Sequence, residues 1–89
     1  MPIISMFYGI VVMMFFDDSR RHKKPHIHVE YQNHQAVITL PDGKLLRGTL
    51  PQAKRKLVAA WIEIHREELM ADWALAARKE SIFKIDPLK

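Results

Sequence analysis

The 89-residue chain has no cysteine, which excludes disulfides and thiolate metal sites and fits a reducing cytoplasm. It also lacks an apolar run of membrane length. The longest mostly apolar stretch, residues 3–16, has 14 positions, against the roughly 20 that a bilayer-spanning helix needs. No basic segment precedes that stretch. Asp17-Asp18 follows it where a secretion signal would place a small-residue cleavage site. There is no internal repeat and no low-complexity segment. No RNA-recognition or helix-turn-helix signature is present. Acidic residues are scarce in the middle: residues 20–56 hold nine Lys/Arg against only Glu30 and Asp42.

What is present describes one small domain, residues 1–89. An apolar fraction of 48% suits a globular fold, and a chain of this length buries only about 60% of its unfolded surface. The net charge of +4 is uneven, because residues 20–56 alone carry +7. Such a block attracts phosphate or an acidic protein, or is simply a solvated face.

The order of elements follows from the apolar periods. Val, Ile and Phe dominate Ile10–Phe16, which reads as a strand buried on both faces, with a bend or bulge at Gly9. A loop from Asp17 runs to Pro25. His26–Tyr31 then alternates with period two, as a half-buried strand does. A turn at Gln32-Asn33-His34 leads to a strand over Gln35–Leu40. Pro41-Asp42-Gly43-Lys44 is a strong turn signal, followed by a short strand at Leu45–Gly48. Pro51 fits the first position of a helix. Leu57, Val58, Trp61, Ile62, His65, Leu69, Trp73 and Ala76 then recur at threes and fours as one apolar stripe. A single rod from Pro51 to Arg78 would be about 42 Å long, too long for a domain whose radius of gyration should be about 12 Å. A break near His65-Arg66 is therefore expected. Ile82–Ile85 is a candidate edge strand that Pro87 ends. The fold expected is α+β: an antiparallel meander of three or four strands against one long kinked helix or two C-terminal helices.

The chemistry concentrates in residues 19–31, Ser-Arg-Arg-His-Lys-Lys-Pro-His-Ile-His-Val-Glu-Tyr. On a strand, His26, His28 and Glu30 share one face, with neighbours roughly 6.5–7 Å apart. Three readings stay open. Histidine titrates near neutrality and serves as acid or base. A metal-independent ribonuclease is thus one reading, with His26, His28, His22 and Tyr31 as catalytic candidates and no cofactor. Two imidazoles can also begin a metal site, completed by His22, Glu30, His34 or His65. The third reading is binding alone. Arg20, Arg21, Lys23, Lys24, Lys44, Arg47, Lys54, Arg55 and Lys56 would then line one side and hold RNA phosphates or an acidic partner protein. Each feature has a plainer alternative. Tyr31 can be a half-buried core residue, Trp61 and Trp73 core packing rather than a stacking platform, and His65 a buried histidine with a backbone or carboxylate partner.

Several motifs carry a family resemblance. They are Pro2, Ile4, Ser5, Gly9 and Ile10; His22, Pro25, His26, His28 and Tyr31; Ala36; Gly48-x-Leu50-Pro51; Trp61, His65, Glu68-Leu69 and Trp73; and Ile85-x-Pro87-Leu88. On these the chain resembles the bacterial domain-of-unknown-function family numbered 4160, over essentially its whole length. Lys24 stands where the family has its first proline, and Arg21 where an acidic residue is usual. Any role of that acid would pass to Asp17 or Asp18. The resemblance implies a small cytoplasmic component of a two-gene, toxin–antitoxin-like module, partnered by a small cognate protein from the adjacent gene and possibly RNA. No membrane association is expected. A weak homodimer follows if Ile82–Ile85 is an exposed edge.

Overall fold

A computed structural model describes residues 3–15 and 24–89. His22, Arg20, Arg21 and Lys23, and with them Asp17 and Asp18, lie outside the described residues. Among the described residues there are five strands: β1 (Ile3–Phe7), β2 (Ile10–Met13), β3 (His26–Tyr31), β4 (His34–Thr39) and β5 (Leu45–Gly48). Two helices follow, α1 (Gln52–Ile64) and α2 (Arg66–Ala77). The strands form one antiparallel sheet in the order β1-β2-β3-β4-β5. The α+β meander is the architecture expected, with one strand more than the periods indicated.

The extra strand comes from the apolar opening. Tyr8 and Gly9 both take positive φ, 51° and 79°, the two left-handed positions of a tight hairpin turn whose twist suits antiparallel strands. Phe7 thus pairs with Ile10. Gly9 marks a turn between two strands rather than a bend before one. A second two-residue turn, Gln32-Asn33, sets His34 opposite Tyr31, so β4 begins one residue before the sequence suggested.

One face of the sheet carries Ile10, Val12, Ile27, Val29, Ala36 and Ile38, all buried against Val58, Trp61, Ile62, Leu69 and Ala76 of the helices. Full burial of such side chains contributes roughly 1.5–3 kcal/mol each. Trp61 meets Phe7 at a ring distance of 5.3 Å. The stripe read from the sequence is the one that packs, with Leu57, His65 and Trp73 half-buried at its margin.

The helical rod breaks at His65, where φ −109° and ψ 26° leave the helical region. Glu67 and Glu68 occupy the first turn of α2, where carboxylates favour the positive end of the helix dipole. Pro51 precedes the helix rather than opening it, with ψ 142°. The Cα radius of gyration is 11.7 Å.

After α2 the chain runs without helix or strand, so Ile82–Ile85 does not form the edge strand expected. Among the described residues it makes a single backbone bond to the sheet, Ile85 N–H to Ile4 O at 2.8 Å. Neighbouring backbone groups are taken by the helices instead. Asp72 Oδ1 accepts from Phe83 N–H at 3.0 Å, and the Trp61 indole N–H donates to Asp86 O at 2.8 Å. This segment is a strap tied to β1, α1 and α2 at once. Among the described residues no helix is long and apolar enough to cross a membrane.

Candidate functional site

The helices bury the face that carries Ile10, Val12, Ile27 and Ile38, and Trp73 of α2 also reaches His26 on the other side. The opposite face carries the candidate site. Register places Met13 opposite His28, His28 opposite Val37, and Val37 opposite Arg47. These four side chains therefore make one row across four strands. His28 and Arg47 are two strands apart, about 10 Å backbone to backbone, with Val37 between them. The next row holds Glu30 and Gln35, joined by a long contact of 3.5 Å between Gln35 Nε2 and Glu30 Oε1. Together with Phe15 these residues line a shallow depression of about 330 Å3. Its floor is apolar and its rim carries an imidazole, a guanidinium, a carboxylate and an amide.

Four rings back the site in series. Phe15 meets His28 edge-on at 4.5 Å, His28 meets His26 at 5.3 Å, and His26 meets Trp73 of α2 at 5.0 Å. His26 and His28 thus project together from one side of β3, as the alternation requires, but they are not equivalent. His26 is 1% exposed, and its Nδ1 lies 3.0 Å from Lys24 O. A carbonyl only accepts, so this contact fixes the proton of a neutral ring on Nδ1. His28 is half-buried and lines the depression. His26 lies enclosed beside His28 and does not line the depression.

The remaining candidates are dispersed. Tyr31 points to the helix side, where Lys54 Nζ sits 4.9 Å from its ring centroid and His34 stacks at 6.5 Å. His34 Nδ1 is 3.2 Å from Thr49 Oγ1. Tyr31 and Lys54 therefore form a cluster separate from His28. Arg55 and Lys56 flank another hollow beside Gly43 and Leu50, again on the helix side. Lys24 pairs with Asp42 at 3.7 Å, and Lys44 is exposed. Of the basic residues expected to line one side, Arg47 is the one in the His28 row among the described residues.

The hydrogen bond from the Thr39 hydroxyl holds the Asp42 carboxyl below its ordinary value, with Lys24 and Lys44 adding to the effect. Burial pushes Asp72 up, and Glu68 one turn earlier adds to that. His65 Nδ1 lies 2.6 Å from Glu68 Oε1 beside the Trp61 ring, the carboxylate-partnered histidine anticipated. Among the described residues no three His, Asp or Glu side chains converge as a metal site would require. His34 and His65 are each engaged elsewhere.

Sequence reasoning missed Met13, Phe15 and Val37 as the floor of the depression. The signal existed: a two-residue turn at Gln32-Asn33 pairs 31 with 34 and hence 28 with 37.

Residues 9–74 match the family described as Domain of unknown function (DUF4160). The chain belongs to that family. The span matched in this DUF4160 chain takes in every residue of the His28 row and of the ring series. It leaves β1 and the strap outside. No curated protein and no solved structure matches the chain.

Proposed function

We propose that this DUF4160 chain is a cytoplasmic component of a two-gene, toxin–antitoxin-like module, and that it holds a small cognate protein on the His28–Arg47 face. One observation carries the reading: the sheet face that bears His28 presents an apolar floor, Met13, Phe15 and Val37, ringed by polar groups. An apolar centre within a polar rim is the anatomy of a protein interface. The rim carries both signs of charge, Glu30 and Arg47, and a carboxylate there opposes phosphate. That favours a protein surface over an RNA backbone. The enclosure of His26 favours binding over ribonuclease chemistry, since acid–base cleavage by a histidine pair needs both rings at the substrate.

Co-expression with the product of the adjacent gene tests this. The two proteins are expected to co-purify. Val37→Lys, which puts a charge on the floor, should weaken the complex roughly tenfold or more, while Glu63→Lys on the far side of α1 leaves it unchanged. Proteins that neither co-purify nor alter each other's effect on growth would end the reading.

A further inference from the structure

The strap and the hinge that launches it fit each other poorly. Helix α2 closes with a paired-bond cap: Lys79 N–H bonds to Ala76 O at 3.0 Å and Glu80 N–H to Leu75 O at 2.9 Å. That motif needs a left-handed residue after the last helical one, a position where glycine is usual. Here the residue is Lys79, at φ +58°. The local sequence, Ala77-Arg78-Lys79-Glu80, has no glycine or proline and consists of good helix formers. Local preference would continue α2 through Glu80; the fold turns it back. The force that turns it back lies in the strap. Three hydrogen bonds hold it, from Phe83 to Asp72, from Trp61 to Asp86 and from Ile85 to Ile4. Ile85 itself is buried among core residues.

We infer that residues 81–89 exchange between two copies of this chain, each strap seating on β1 and α1 of the other. Every contact the strap makes in its own chain is available in a second copy, and opening relieves the left-handed residue by letting α2 run on. Short hinges held against their preference invite exchange of this kind. The same edge shows large apolar side chains to solvent: Met6 is 61%, Ile3 40% and Phe83 71% exposed. Met6, Ile3 and Lys84 line a groove of about 310 Å3 along the β1–strap seam. A second copy brought to this seam by its strap lies against those side chains.

The absence of cysteine makes the test clean. Single variants Met6→Cys and Lys84→Cys are mixed, concentrated and oxidised. Strap exchange links unlike chains, Cys at 6 to Cys at 84, in excess over like pairs. Light scattering on the cysteine-free chain should show a dimer population rising with concentration. Lys79→Gly removes the left-handed cost from the closed form and disfavours the continued helix. Since each dimer opens two hinges, it should lower the dimerisation constant by roughly twentyfold or more. A monomer mass at every concentration, links between like chains as frequent as unlike, or a dimer indifferent to Lys79→Gly would each overturn the exchange.

Discussion

Replacing Asp72 with asparagine separates the charge of that side chain from its hydrogen bond. Asp72 is 2% exposed; Oδ1 accepts from Phe83 N–H, and Oδ2 is buried without a hydrogen-bond partner among the described residues. Burial, with Glu68 adding to it, raises its pKa above the ordinary 3.8. The sign of the linkage follows. The fold prefers the protonated acid, so this group's contribution is fully present below about pH 3.8 and is lost as pH rises through the raised folded value. Across that window the loss approaches a slope of about 1.4 kcal/mol per pH unit. Asparagine keeps the carbonyl that Phe83 needs and never ionises. Relative to wild type, Asp72→Asn should therefore gain stability between pH 4 and pH 7, at about 1.4 kcal/mol for each pH unit by which the folded pKa stands above the unfolded one. That corresponds to a relative Tm gain of roughly 4–8 °C per kcal/mol in a domain this small. Urea unfolding followed by tryptophan fluorescence at both pH values measures it, and subtracting wild type cancels the other carboxylates. As a control, Asp72→Ala strands the Phe83 N–H and should cost about 1–3 kcal/mol at both pH values. An Asp72→Asn difference that is the same at pH 4 and pH 7 would refute the linkage.

Two further outcomes can be checked directly. Gly48 has φ +86°, and a Cβ there would stand 2.1 Å from Gln35 O. Gly48→Ala should therefore cost roughly 1–3 kcal/mol and loosen the strand that carries Arg47; an unchanged melting temperature would contradict this. Thr39→Val removes the hydroxyl that holds the Asp42 carboxyl down. Its pKa should climb toward 3.8 in a carboxyl NMR titration, and a pKa that stays put would assign the lowering to Lys24 and Lys44.

The meander and the helical stripe were legible because each rests on local periodicity, and the break at His65 because an unbroken rod would be too long for so small a domain. His26 and His28 on one side of a strand follow from the same alternation. What the residues did not announce depends on where the helices lie. Nothing in the spacing of His26 and His28 distinguishes them, yet Trp73 encloses one ring and leaves the other half-buried. The basic block suggested a single surface, but Arg47 projects from the His28 face of the sheet while Arg55 and Lys56 stand on the helix side. The strap read as a strand because Ile82–Ile85 is a short apolar piece that Pro87 ends. Side chains from α1 and α2 claim its backbone groups first. Asp72 gave no signal, since a lone acid on an apolar stripe looks like any margin of a helix.

The bond from Ile85 to Ile4 joins one of the first described residues to one of the last. During translation at about 5–20 residues per second, the roughly eighty residues between them take some 4–16 s to appear. Throughout that interval the nascent β1 hairpin has its flank bare on the ribosome. The meander can assemble strand by strand in order, but its opening edge must wait for the tail, and shielding that flank falls to whatever surrounds the emerging chain.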